Sequence, residues 1–133
     1  MKTSNLTVFV LLVTMLISIN SDAQKTVPAQ TASIQVIQFH NEHRCVTCVQ
    51  IEKLTRATLD KDFKSVPFIL VNVDDSKNAK EAEAFEAAGT ALYLFNPKTG
   101  RKKDLTEFAF MKAFDEEKFR TELKKQIEDF IKS

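Results

Sequence analysis

The chain of 133 residues is long enough for one ordinary domain, and its 19 basic and 18 acidic residues give a net charge of +1 with both histidines neutral. This near balance argues against nucleic acid or an anionic membrane surface as the partner, because both attract proteins through an excess of basic side chains. Two cysteines are fewer than disulfide-dependent secreted scaffolds carry, and eleven phenylalanines can supply an apolar core without such crosslinks.

The N-terminal segment 1–23 has the three parts of a secretory signal peptide. Lys2 supplies the positive charge, residues 6–19 form the apolar core, and Ser21 and Ala23 place small residues where a signal peptidase cleaves. An uncleaved membrane anchor would need about 20 apolar residues to span the bilayer, which is more than this run provides. We therefore expect cleavage of the segment, export to the periplasm and no stable membrane insertion afterwards.

The remaining chain is expected to form one small monomeric domain. Removing Lys2 and Asp22 with the leader changes the 19 basic and 18 acidic residues to 18 and 17, so the charge stays balanced. The polar residues 24–32, which include Pro28, predict a flexible N-terminal segment. Residues 33–133 carry the apolar periodicity of a folded domain.

Strand and helix patterns alternate along the domain. Period-two or continuous apolar runs predict four strands, and apolar residues spaced three or four apart predict three helices. In chain order these are a strand at 33–40, a helix at 45–62, a strand within 65–75, a helix at 76–89 that stops at Gly89, a strand at 90–95, a strand at 101–108 and a helix at 115–131. This βαβαββα order predicts an α/β fold with a mixed central sheet and helices on both faces.

Cys45 and Cys48 fall in the first turn of the first predicted helix, where a spacing of three brings both sulfurs within reach of a disulfide. Free amides and the helix dipole favour an anion at this end, and Arg44 and a protonated His43 act in the same direction. We therefore expect Cys45 to be the low-pKa nucleophile and Cys48 the resolving thiol. This predicts exchange with a protein thiol or disulfide partner, with the redox-active disulfide itself in place of any cofactor.

Two other uses of the same cysteines stay open. His40, His43, Cys45 and Cys48 offer two nitrogens and two sulfurs, a donor set that suits zinc or copper. The two thiols alone could also chelate trivalent arsenic. On this interpretation the chain is a metal or metalloid carrier. The other alternative is a structural disulfide without chemistry, which the surface position expected for the start of a helix disfavours.

A CxxC motif where the first strand meets the first helix resembles the thioredoxin-like superfamily, over residues 33–131. The stretches HRCVTC, IEKLT, ALYLF and LTEFAFMKAFDEEKF are similar, more narrowly, to exported thioredoxin-like subunits of nitrophenyl-compound nitroreductase systems. The resemblance implies a thioredoxin-like fold, a transmembrane thiol reductase of the cytochrome-c-biogenesis type as electron donor, and a nitroaromatic-reduction pathway as recipient. No residue pattern in this chain indicates a flavin or nitroaromatic pocket.

Two positions depart from the thioredoxin pattern. The resemblance places the family's cis-proline, which faces the disulfide, at Thr90, where we expect a trans peptide because a non-proline cis bond costs about 2.5–4 kcal/mol. The loss of this proline favours metal capture by the cysteines. The family's buried acid is replaced by Gln38, which cannot accept a proton, so that His40 or Glu42 would have to serve instead.

Two further local features have alternative interpretations. Phe108, Phe110, Met111 and Phe114 predict core packing between the last strand and the last helix, or a docking surface for another protein where they are exposed. The acidic pair at 74–75 predicts a turn or a helix cap, since no catalytic histidine or metal motif accompanies it.

Overall fold

The computed structural model describes residues 34–133. The predicted leader 1–23 and the predicted flexible segment 24–32 lie outside the described residues. In the described part of the chain, no helix is both long and apolar enough to cross a membrane.

The described residues contain one four-stranded sheet, formed by β1 (Gln35–His40), β2 (Phe68–Asn72), β3 (Ala91–Asn96) and β4 (Arg101–Asp104). The spatial order is β2-β1-β3-β4, with β1 parallel to β2 and antiparallel to β3, which pairs antiparallel with β4. Because β1 and β2 are parallel, the chain between them must cross over one face of the sheet. The predicted α/β class and mixed sheet are confirmed.

The helices of the described chain are α1 (Val46–Asp62), α2 (Ala79–Ala84), α3 (Thr106–Lys112) and α4 (Glu116–Lys132), and a 3-10 turn at Ser76–Asn78 leads into α2. Helix α1 is the crossover between β1 and β2. Both long helices begin after a side chain that accepts a hydrogen bond from a first-turn amide, Cys45 before α1 and Asp115 before α4. Their predicted positions are confirmed to within one residue.

Helices cover both faces of the sheet. On one face, α1, α3 and α4 enclose an apolar core that includes the buried strand residues Val36 and Leu92. The opposite face is covered by α2 and is rich in aromatic rings. There Phe39, Phe85 and Tyr93 contact one another with ring centroids 5.2 to 5.9 Å apart. The loop that leads to Cys45 and α1 starts at the end of β1, a central strand of this sheet.

The structure corrects the predicted strand at 101–108. Strand β4 ends at Asp104, whose carboxylate accepts a hydrogen bond from the amide of Thr106 at 2.8 Å, and α3 begins there. The Thr106 hydroxyl also accepts a hydrogen bond from the amide of Leu92 at 3.1 Å, which ties the start of α3 to β3. Apolar residues after Asp104 recur at helical spacing, so the strand prediction was wrong beyond that residue. The element order is therefore βαβαββαα.

The structure also corrects the end of the second helix. Helix α2 stops at Ala84 and not at Gly89. The amide of Ala87 bonds the carbonyl of Ala82 at 2.8 Å around Glu86, which adopts a left-handed φ of 54°. This is a Schellman-type helix end with glutamate in the position that glycine usually takes. The prediction failed because the residue that ends the helix carries no sequence signal for it.

Candidate redox site at the start of helix α1

A disulfide joins Cys45 and Cys48 at the point where α1 follows β1. Their Cα atoms are 5.1 Å apart, and Sγ of Cys45 accepts a hydrogen bond from the amide of Cys48 at 3.1 Å. Cys45 is thus the N-cap of α1, and its sulfur lies where the unpaired amides of the helix would stabilise a thiolate. The pairing expected from the spacing of the two cysteines is confirmed.

The two cysteines differ in solvent exposure. Cys45 is exposed, whereas Cys48 is 4% exposed. Two valines in the same turn are also open to solvent, Val46 at 77% and Val49 at 50%. An attacking thiolate can therefore reach the sulfur of Cys45, which is surrounded by apolar surface, but it cannot reach the buried sulfur of Cys48.

Gln38 holds the first turn of α1 from beneath. It lies in β1 and is fully buried. Its Nε2 donates a hydrogen bond to the carbonyl oxygen of Cys48 at 2.9 Å, whereas its Oε1 has no hydrogen-bond partner among the described residues. Gln38 is therefore a neutral link between the sheet and Cys48, and it cannot remove a proton from the thiol.

Thr90 reaches the disulfide from the loop before β3. Its hydroxyl oxygen lies 3.2 Å from Sγ of Cys48. None of the peptide bonds in residues 34–133 is cis, which agrees with the trans geometry expected at Thr90. Cys48 is thus contacted by Gln38 at its carbonyl oxygen and by Thr90 at its sulfur.

Arg44, which was expected to lower the pKa of the Cys45 thiol, forms an ion pair. Its Nη1 contacts Oε2 of Glu52, whose Oε1 accepts a hydrogen bond from Nε of Arg56 at 2.9 Å. Burial opposes the ionisation of Glu52, but hydrogen bonds from Arg44 and Arg56 outweigh it and lower its pKa. This carboxylate offsets the charge of Arg44, so the effect of Arg44 on the thiolate is smaller than its position in the sequence suggests. Sequence reasoning missed Glu52, although its spacing of four from Arg56 was a signal.

The structure does not bring the four predicted metal ligands together. His43 is exposed, Nδ1 of His40 lies 2.9 Å from the carbonyl oxygen of Asn41, and both sulfurs are in the disulfide. Within residues 34–133, no group of three or more histidine, cysteine, aspartate or glutamate side chains is placed to hold a metal ion. Metal binding by these residues would require reduced cysteines and a rearranged loop.

Asp74 anchors the loop that precedes the disulfide, a role that sequence reasoning missed. Its Oδ2 accepts a hydrogen bond from the amide of Glu42 at 2.8 Å, and its Oδ1 accepts one from Nδ2 of Asn41 at 3.2 Å. These bonds, first that from the Glu42 amide, lower the pKa of Asp74. Asp75 caps the next turn by accepting from the amide of Lys77 at 3.1 Å, as expected. The signal for Asp74 was its position after β2, whose end lies beside that of parallel β1.

The apolar residues in and after α3 divide between core and surface. Phe108 packs against Phe119 with ring centroids 5.0 Å apart. In contrast, Phe110, Met111 and Phe114 are 40%, 69% and 72% exposed. The prediction of core packing therefore holds for Phe108, while the other three residues remain on the surface.

Comparison with known proteins found no matching family model, no matching curated protein and no matching solved structure. The functional interpretation therefore rests on the chemistry of the disulfide and of the side chains around it.

Proposed function

We propose that this chain is an exported, periplasmic thiol–disulfide oxidoreductase with a thioredoxin-like fold. The observation that carries the proposal is the disulfide between an exposed Cys45 at a helix N-cap and a buried Cys48. An exchange site needs one sulfur that a partner can reach and a second that can close the ring. The βαβ unit, the hairpin and the sheet order β2-β1-β3-β4 support the thioredoxin-like assignment.

Reduction of the chain begins at Cys45. A donor thiolate attacks the Cys45 sulfur, the bond between the two cysteines breaks, and its electron pair leaves on Cys48 as a thiolate. A second thiolate of the donor then attacks the donor's own sulfur in the mixed disulfide and releases Cys45. The donor ends as a disulfide, and the chain has gained two electrons.

Delivery of the electrons runs the same steps in reverse. The Cys45 thiolate, stabilised by the free amides of α1, attacks a disulfide in the acceptor and forms a mixed disulfide. Cys48 then attacks the Cys45 sulfur, restores the internal disulfide and releases the acceptor as a dithiol. Because both sulfurs lie on one helical turn, this last step is intramolecular and outcompetes attack by free thiols.

The chemistry defines the partners as a protein dithiol donor and a protein disulfide acceptor. On the resemblance stated above, we propose a transmembrane thiol reductase of the cytochrome-c-biogenesis type as the donor. The recipient on the same basis is a nitroaromatic-reduction pathway. In this scheme the chain acts as a monomer and carries electrons on its own disulfide.

The test is to equilibrate the purified protein, prepared without chelator, with defined ratios of reduced and oxidised glutathione. Alkylation followed by intact mass then counts the free thiols. We expect a reversible two-thiol transition above about −300 mV, the potential below which structural disulfides resist the glutathione pool. Cys45→Ser and Cys48→Ser are the matched controls, because each retains one thiol and cannot form the internal disulfide.

Two results would overturn the proposal. A disulfide that stays closed at every glutathione ratio would identify a structural crosslink. Stoichiometric zinc, copper or arsenic on the reduced protein, with loss of thiol exchange, would identify the metal-carrier alternative, with His40 and His43 as the additional ligands. Metal analysis on the same sample as the redox titration separates these two results.

A further inference from the structure

The hydroxyl of Thr90 is positioned to act on the buried sulfur of the disulfide. Its Oγ1 lies 3.2 Å from Sγ of Cys48. Because a disulfide sulfur carries no hydrogen, the hydroxyl must be the donor in this contact. Cys48 is 4% exposed, so that little water can solvate its sulfur.

This hydrogen bond becomes stronger when the disulfide opens. A neutral disulfide sulfur is a weak acceptor, whereas the Cys48 thiolate released by reduction is charged. Hydrogen bonds to charged groups are about twice as strong as those between neutral groups. The Thr90 hydroxyl therefore stabilises the open state more than the closed state. A Cys45 thiolate is stabilised without such a donor, because water and the amides of α1 reach its exposed sulfur.

The neighbouring polar side chains do not supply this donor. Nε2 of Gln38 is bound to the carbonyl oxygen of Cys48 at 2.9 Å, and Oε1 of Gln38 can only accept a hydrogen bond. Arg44, the nearest cation in the sequence, pairs with Glu52. The hydroxyl of Thr90 is thus the group that the structure directs at the sulfur.

We propose that Thr90 is a positioning residue that holds the Cys48 thiolate and so makes the disulfide easier to reduce. This inference rests on the proposed exchange function and deepens it. When a dithiol donor attacks, its sulfur bonds to Sγ of Cys45, the internal sulfur–sulfur bond breaks, and the electron pair moves to Sγ of Cys48. The Thr90 proton stays on its own oxygen throughout. In the reverse step, the same hydrogen bond keeps Cys48 aimed at Cys45.

Three variants test the role of the hydroxyl. Thr90→Val replaces it with a methyl group and keeps the branched shape, and Thr90→Ser keeps the hydroxyl. Thr58→Val is the control, because it also replaces a threonine hydroxyl with a methyl group, at a buried site further along α1 from the disulfide where the hydroxyl donates to the carbonyl of Leu54 at 2.8 Å. All three are compared with the wild-type protein in glutathione buffers, or in dithiothreitol buffers at lower potentials.

We expect Thr90→Val to lower the equilibrium constant for reduction about tenfold, through loss of a hydrogen bond to a charged group. For a two-electron couple this equals a potential about 30 mV lower. Thr90→Ser should stay within about twofold of wild type, because the donor remains. Thr58→Val should leave the constant unchanged while lowering thermal stability. Reduction of Thr90→Val by dithiothreitol should also be slower, since Cys48 becomes a poorer leaving group.

An unchanged equilibrium constant in folded Thr90→Val, or an equal drop in Thr90→Ser, would overturn the proposal. If Thr90→Val does not fold, NMR of the wild-type protein decides: the Thr90 hydroxyl proton should exchange with water more slowly in the reduced state than in the oxidised state. Equal or faster exchange in the reduced state would overturn it. The absolute potential of the wild type tests the proposed function, and the difference between variants tests Thr90, so the two can fail separately.

Discussion

Cys45 and Cys48 share one helical turn but lie in opposite environments. The outer side of the turn faces solvent and carries the exposed Cys45 together with two exposed valines. The inner side holds Cys48 at 4% exposure, with Thr90 at its sulfur and Gln38 at its carbonyl oxygen. Substitutions on the outer side should therefore change the rate of reaction with particular partners. Substitutions on the inner side should instead change the reduction equilibrium and the stability of the fold.

Replacing each cysteine in turn should give the largest difference between the two sides. In Cys48→Ser, the exposed Cys45 thiol should form a persistent mixed disulfide with oxidised glutathione, because no resolving thiol remains. In Cys45→Ser, the buried Cys48 thiol should stay largely unmodified under the same conditions. Intact mass after a fixed incubation measures both adducts. Equal adduct formation by the two variants would show that the sulfurs are equally accessible.

Gln38→Glu, on the inner side, should lower the free energy of unfolding by about 3.5 kcal/mol at pH 7. Gln38 is fully buried, and full burial raises the pKa of a carboxyl by about 3 units or more, at about 1.4 kcal/mol per unit. The folded state then binds more protons than the unfolded state. The free energy of unfolding should therefore fall as the pH rises from about 4.3, the unfolded value, to the raised pKa.

Gln38→Leu is the control for this pH dependence. It also removes the hydrogen bond to the Cys48 carbonyl but introduces no titratable group, so its free energy of unfolding should change by about 1 kcal/mol at every pH. Urea denaturation at pH 4 and pH 7 measures both variants. A loss in Gln38→Glu that does not depend on pH would mean that water reaches this position.

Val46→Thr should produce a smaller effect, confined to the outer side. Val46 is 77% exposed, so its replacement should leave the stability unchanged. Replacing one methyl group with a hydroxyl removes about 0.8 kcal/mol of apolar contact with a docked partner, a factor of about four in rate. The measurement is the rate of reduction of a synthetic peptide disulfide flanked by leucines. Oxidised glutathione is the control substrate, and equal slowing with it would indicate altered thiol chemistry.

The bounds of a helix could be predicted where a capping side chain is followed by a long run of apolar residues at helical spacing. Helices α1 and α4 were predicted to within one residue, because Cys45 and Asp115 supply caps before long helices. The shorter α2 and α3 were not, because their limits depend on backbone contacts. Helix α2 ends where Glu86 adopts a left-handed conformation, and α3 begins where Thr106 bonds a residue of β3.

The candidate site, like the fold, has parts that the sequence predicts and parts that it does not. The cysteine pair could be predicted from the residues alone, because it depends on positions within one helical turn, whereas the buried position of Gln38 was expected only from the resemblance. The contact of Asp74 with Glu42 could not be predicted, because 32 residues separate the partners in the chain. That of Thr90 with Cys48, across 42 residues, was indicated only by the resemblance, which placed Thr90 opposite the disulfide. Such contacts arise where loops from three strands meet at one edge of the sheet, and the topology of the sheet decides which loops meet.

The smallest effect is expected in the loop that connects β1 to Cys45, where Asp74 binds the backbone. The folded pKa of Asp74 is lowered, chiefly by the hydrogen bond from the Glu42 amide. Its contribution to the folded loop is therefore present above the unfolded pKa of about 3.9 and is lost as the pH falls through the folded pKa. Below about pH 4, the protection of the Glu42 amide hydrogen, measured against an unstructured peptide at the same pH, should therefore fall.

Asp74→Asn should reproduce this change at neutral pH, because the amide oxygen is a weaker acceptor than the carboxylate. We expect exchange of the Glu42 amide to become about threefold faster, the scale of exposed charge interactions. The reduction potential should not change, since Asp74 contacts the loop and not the sulfur. Asp75→Asn is the matched control, because Asp75 bonds Lys77 in its own turn. Equal acceleration in both variants would assign the effect to net charge, whereas acceleration in Asp74→Asn alone shows that this carboxylate orders the loop before Cys45.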